Sequence, residues 1–121
     1  MTDRQRLGAF GERVAAARLE AAGMAILSRN IRTPSGEIDI LARDGTDLVF
    51  VEVRTRRARP GTAVESIDDI KLQRMWQCAI DYCDSAAADP ETIRIDIVSI
   101  DIGPGGKLGH IEHFRGVEIP D

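Results

Sequence analysis

Aromatic side chains are scarce in this sequence: three Phe, one Tyr and one Trp make up 4% of 121 residues. Stacking on unpaired bases needs several such rings, so that mode of nucleic-acid recognition is disfavoured. Cysteine is limited to Cys78 and Cys83. On one helix their five-residue separation is a rise of about 7.5 Å, too long for a comfortable disulfide. Buried, reduced thiols in a reducing compartment are expected instead. Lysine is nearly absent, with Lys71 and Lys107 standing against fourteen Arg. Arginine suits bidentate phosphate contacts, although GC-rich coding produces the same excess. No apolar run approaches the ~20 residues of a membrane span. The polar start MTDRQRLG contains no apolar signal region. A soluble cytoplasmic protein is expected.

A positive global charge is also missing, since the net charge is −4. That total hides an asymmetry. Residues 1–60 carry eleven arginines against eight carboxylates, and residues 61–121 carry five cations against twelve carboxylates. The chain as a whole is no obvious polyanion binder, but a local basic patch in its first half can serve.

What is present is an ordinary globular balance, with 43% hydrophobic and 30% charged residues, enough for one domain over 1–121. Leu7, Phe10, Val14, Ala17 and Ala21 recur at helical spacing and predict a helix over 4–22, with Gly23 as its C′ glycine. Glu12 lies off that stripe among the small residues Gly8, Ala15 and Ala16 and beside Leu19, where a carboxylate can approach a sheet. Strands are expected at 24–32, 37–43, 48–55, 92–101 and 110–117. Turns are expected at 33–36 and around Asp44-Gly45. A second helix is expected from about Ser66 to Ala86, with Asp69 as a weak capping-box signal and Leu72, Met75, Ala79 and Cys83 as its core stripe. The order αβββαββ in so short a chain predicts a mixed central sheet flanked by helices.

Two carboxylates interrupt the best strands. Alternation places Asp39, Leu41 and Arg43 on one face of their strand, and Leu48, Phe50, Glu52 and Arg54 on one face of the next. A connection from Asp44 to Asp47 pairs Arg43 with Leu48, which sets Asp39 opposite Glu52 with Cβ atoms roughly 5 Å apart. A two-residue loop sets Asp39 opposite Phe50 with Glu52 on the diagonal, and either register leaves the acids on one face. Three things relieve the repulsion: a retained proton, an arginine such as Arg54 or Arg43, or a hard divalent cation. Spacing alone favours the salt bridge.

An acid on an early helix, then Gly36-Glu37-Ile38-Asp39, then Glu52-Val53-Arg54 resembles the restriction-endonuclease-like superfamily. Gly11-Glu12, Ala21-Ala22-Gly23, Arg29-Asn30, GEIDILA, LVFVEVRTR, Lys71 and Arg94-x-Asp96-Ile97-Val98 together resemble the YraN-type family, which is similar to Holliday-junction resolvases. The resemblance implies an endonuclease-like fold. It further implies a metal-dependent nuclease hydrolysing phosphodiester bonds in structured DNA, such as branched or recombination and repair intermediates. It implies Mg²⁺ or Mn²⁺ held by Asp39, Glu52 and the Val53 carbonyl, with Glu12 a direct or indirect acidic contributor. The superfamily's Glu-x-Lys lysine falls on Arg54, which stays protonated and cannot act as a base. Arg54 can clamp the scissile phosphate. Lys71 is the other lysine placed to substitute, against the alternative of a snorkelling side chain. If catalysis is lost, the second reading is an inactive nuclease-fold nucleic-acid-binding protein.

Arg56, Arg57 and Arg59 follow as a basic run suited to flanking phosphates, the alternative being a solvated loop. His110 and His113 lack the cysteine partners of a zinc site and read as ordinary strand polar groups. GPGGKLG lacks the Lys-Ser/Thr ending of a phosphate-binding loop and reads as a hairpin tip. Asp96, on a strand that looks buried, either orients the site or caps the first helix. Exposed strand edges make a homodimer a further expectation.

Overall fold

In a computed structural model that describes residues 1–57 and 67–121, the order is α1 (Asp3–Ala21), β1 (Ala25–Thr33), β2 (Gly36–Asp44), β3 (Asp47–Arg57), α2 (Asp69–Ala86), β4 (Ile93–Ile102) and β5 (Leu108–Phe114). The expected order and mixed sheet flanked by helices are both observed. The five strands lie in the order β1-β2-β3-β4-β5. Only β3 and β4 run parallel, a pairing that requires a crossover. Helix α2 lies on that crossover.

Each face of the sheet carries one core. Ala15, Ala16 and Leu19 of α1 meet Ile40, Ala42, Val49, Val51, Val98 and Ile100. Met75, Cys78, Ala79 and Cys83 of α2 meet Leu41, Leu48, Phe50 and Ile95. Strand β3 therefore buries both faces, which explains its near-continuous apolar run. Cys78 and Cys83 are free and buried, as expected.

The α1 stripe differs from the sequence reading. Ala17 and Ala21 are exposed, Leu7, Phe10 and Val14 are half-buried, and the buried face is Gly11, Ala15, Ala16 and Leu19. Small residues let the helix axis come closest to the sheet, and the larger ones pack at its margins. The contact is tightest at Gly11, where a Cβ would lie 1.9 Å from Thr55 Oγ1. The helix end is as read: Gly23 has φ +95. Gly23 N–H donates to Glu20 O and Met24 N–H to Leu19 O, a Schellman closure.

Helix α2 starts later than expected. Asp68 is its N-cap, accepting from Lys71 N–H at 2.8 Å, and Ser66 lies outside the described residues. The last strand starts earlier than expected, at Leu108, directly after a 3₁₀ turn at Pro104–Gly106. Among the described residues no helix is long and apolar enough to cross a membrane.

Candidate functional site

The hairpin register is the expected one, with Arg43 opposite Leu48, and the β2–β3 ladder runs back from there to Ile40↔Val51. There it stops, although one further step would pair Asp39 with Glu52. Ile38 packs on the α2 face together with Leu41, three residues away, so strict alternation breaks at Asp39–Ile40. The strands part here, and Val53 N–H donates to Asp39 Oδ2 at 2.9 Å. Asp39 thus satisfies a backbone donor that the ladder has released. It also lines clefts on both sides of the sheet.

Glu52 keeps its expected place beside Phe50 and Leu48 on the α2 face and is 6% exposed. Lys71 Nζ lies 3.4 Å and Arg54 Nε 3.1 Å from its Oε2. The Arg54 contact supplies charge without a hydrogen bond, since its buried Nε–H has no acceptor. Burial pushes the Glu52 carboxyl up to about 7, and Asp39 adds to the rise, while Lys71 and Arg54 oppose it. A buried carboxyl that resists ionisation beside two cations marks a site still short of positive charge.

Lys71 stands in the first turn of α2, where the helix dipole disfavours a cation. Its contact with Glu52 offsets that cost. Arg43 is exposed and is not the residue between the acids. Glu12 comes from the other side. The close approach at Gly11 brings the next residue towards β2, and burial first, then Asp39, raises the Glu12 carboxyl against a hydrogen bond from Asn30. Asn30 has φ +53, the left-handed region that Asn tolerates better than most residues.

Two clefts meet at Asp39. On the α2 side a cleft of about 390 Å³ is lined by Glu37, Asp39, Glu52, Lys71, Arg74 and neighbours. On the α1 side a cleft of about 650 Å³ is lined by Arg4, Glu12, Asp39, Val53 and the β3 residues Arg54, Arg56 and Arg57. The structure thus gathers Asp39, Glu52, Arg54 and Lys71, with Glu12 close to Asp39. Arg56 and Arg57 lie along one exit, and Arg59 lies outside the described residues. Asn30, Arg74 and Arg4 are additions. The Arg4-Gly8-Glu12 spacing carried the last of these, because i, i+4 and i+8 share a helix face.

Asp39 and Glu52 offer hard oxygen donors, and Val53 adjoins both. That set suits a small divalent cation such as Mg²⁺, which is held by one or two carboxylates and otherwise by water and substrate oxygens. Among the described residues no third His, Cys, Asp or Glu completes a cluster around them.

Asp96 belongs elsewhere, neither orienting this site nor capping α1. It shares the α1 face with Val98 and Ile100 by alternation. Arg94 grips it at 3.0 Å through both Nε and a terminal nitrogen, Gly116 N–H donates at 3.0 Å, and His113 Nε2 lies at 2.8 Å. Arg94 also reaches Asp44 and Asp47 at the hairpin turn. His113 is therefore structural, and His110 contacts Glu112 at the surface.

Residues 11–100 match the family described as Uncharacterised protein family UPF0102. A UPF0102 protein of Symbiobacterium thermophilum is 44% identical over 86% of this chain and 89% of its own. One from Beutenbergia cavernae is 41% identical over 97% of this chain and 99% of its own. One from Roseiflexus castenholzii is 46% identical over 92% and 91%. Among solved structures, Pyrococcus furiosus SfsA in complex with Ca²⁺ is similar over 97% of this chain and 66% of that one, with 18% identity and a TM-score of 0.47. The family match and the near full-length relatives, together with the expected motifs in their expected order, show that this chain belongs to the UPF0102 family, the YraN-type proteins.

Proposed function

We propose that this protein is a metal-dependent nuclease that hydrolyses phosphodiester bonds in structured DNA, using Mg²⁺ or Mn²⁺ held by Asp39, Glu52 and the Val53 carbonyl. The observation that carries this reading is the meeting of Asp39, Glu52, Lys71 and Arg54 where β2 and β3 part, with Glu52 raised to about 7. A bound cation would keep both carboxylates ionised, lower the pKa of a water and stabilise charge on the phosphoryl oxygens.

The chain's own residues supply the rest. Asp39 is oriented by Val53 N–H and lies within side-chain hydrogen-bond reach of Glu52, which holds the two carboxyls together at the site. Arg54 is permanently charged and lines the α1-side cleft, which suits its guanidinium to hold a phosphate oxygen. It cannot take a proton. Lys71 can exchange one, and its ammonium lies against Glu52, so the lysine function missing from the Glu-x-Lys position is available from α2. Arg56 and Arg57 extend the cationic wall of the α1-side cleft towards flanking phosphates.

Cleavage of branched, nicked and single-stranded DNA in Mg²⁺ or Mn²⁺ tests the reading. Asp39→Ala and Glu52→Ala should each lower the rate on the order of 10²–10³-fold or more while circular dichroism stays unchanged. Cleavage retained by both variants sinks it. The second reading, an inactive nucleic-acid-binding protein, rests on Arg54 at the lysine position. It is favoured if DNA binding is salt-sensitive, needs the arginines and is indifferent to Asp39 and metal.

A further inference from the structure

A third cleft, of about 460 Å³, lies beyond the α1-side cleft and is lined by Arg6, Leu7, Phe10, Arg13, Arg57 and neighbours. It shares Leu7 and Arg57 with the α1-side cleft at Asp39, so the two adjoin there as a trough bent around α1. The N-terminal half of α1 stands between its two ends, and the two sets of residues lie roughly 150° apart around the helix. Arg4, Gly8 and Glu12 face the carboxylate end, and Arg6 and Arg13 face the far end, two turns or about 10.5 Å apart. Arg13 lies over the Phe10 ring at 6.0 Å, a cation–π contact at the far cleft.

The charge is concentrated. Arg4, Arg6, Arg13, Arg54, Arg56 and Arg57 line the trough against Glu12 and Asp39. That is a formal +4 in a chain of net charge −4, which leaves −8 for everything else. A basic channel on an otherwise acidic molecule steers a polyanion to one place and repels it from others. With one aromatic ring in the trough, the recognised feature is a phosphate backbone rather than stacked bases.

We propose that this trough is the track for a nucleic-acid backbone, which runs from the Asp39 end of the site past Leu7 and Arg57 and around α1 to Arg6 and Arg13. The proposal rests on the nuclease reading for its starting point, but its test is binding. The affinity of the full-length protein for a labelled DNA duplex is measured at several salt concentrations, in parallel with cleavage in Mg²⁺ and Mn²⁺.

Replacing Arg6 and Arg13 together by Ala should reduce the slope of log affinity against log salt by about 2. Between 50 and 200 mM salt, the variant should then lose about ten-fold less affinity than the wild type. Arg18→Ala serves as control, because Arg18 is exposed on the same helix and lines neither cleft; its slope should match the wild type. An unchanged slope in the double variant, or an equal fall in the control, overturns the track. If the wild type then still cleaves, the nuclease reading survives alone. A reduced slope without cleavage keeps the track and removes the nuclease. Absence of salt-dependent binding in the wild type overturns the track, and the parallel cleavage measurement then decides the nuclease reading by itself.

Discussion

Asp96 and Glu52 are buried carboxylates on neighbouring parallel strands, and Asp96 lies across from Val51, one residue from Glu52. Their surroundings drive them in opposite directions. Burial is the largest influence on each and raises both. At Asp96 it is outweighed by hydrogen bonds from Arg94, Gly116 N–H and His113, which leave the carboxyl below its ordinary range. At Glu52 another carboxylate adds to burial, and the cations at 3.1 and 3.4 Å compensate only in part. A carboxylate with every oxygen matched by a donor serves the fold. One left short of donors is available for chemistry.

That contrast is broken most severely at Asp96. Asp96→Ala leaves Arg94 and His113 facing an empty buried site and should cost about 3–5 kcal/mol. Thermal unfolding should show a fall in midpoint of more than about 10 °C, and a fall of only a degree or two would contradict the structural role. The Asp96 contribution is present above the ordinary carboxylate range near 3.8 and is lost as pH falls through the lower folded value.

Glu52→Gln should act with the opposite sign. In the folded chain Glu52 keeps its proton to about pH 7, against an ordinary 4.5. Its contribution is therefore complete below about pH 4.5 and lost as pH rises through about 7, an interval worth at most about 3 kcal/mol. Without divalent cations, Glu52→Gln should gain stability relative to the wild type between about pH 5 and pH 8, as denaturant titrations at each pH would show. A constant difference would mean that Glu52 is ionised throughout.

Gly11→Ala separates the two clusters by moving α1. Its Cβ would meet Thr55 Oγ1 at 1.9 Å, an overpacking of about 1–3 kcal/mol that the better helix propensity of Ala offsets only in part. Retreat of the helix should return the Glu12 carboxyl towards its ordinary value and leave Asp96 unmoved, which carboxyl NMR titration resolves. The smallest effect is that of Lys71→Met. Removing a cation that lowers Glu52 should raise its titration by about one pH unit in metal-free protein. No change would remove Lys71 from the site.

Much of this was legible in the chain because it depends on local rules. The turn at Asp44–Asp47 and the period of two determine the hairpin register, and Gly23 marks the end of α1. The reading of α1 failed for a physical reason. Hydrophobicity picked out Leu7, Phe10 and Val14, whereas close packing selected the small face of Gly11, Ala15 and Ala16. Strict alternation failed at Asp39, where the ladder ends. In sequence Asp96 reads as either of two roles, neither of them the observed one, because its partners Arg94, His113 and Gly116 are united only by the pairing of β4 with β5 and the chain beyond it.

Turns and strand periodicity act over a few residues, so the chain alone puts two acids near one another on adjacent strands with an arginine two residues on. What surrounds them depends on how the helices pack. Docking of α2 brings Lys71 to Glu52 across the sheet face, and the tight seat of α1 on Thr55 brings Glu12 and its arginines to the other side of Asp39. Both are long-range placements determined by how closely each helix can pack, which no local pattern encodes.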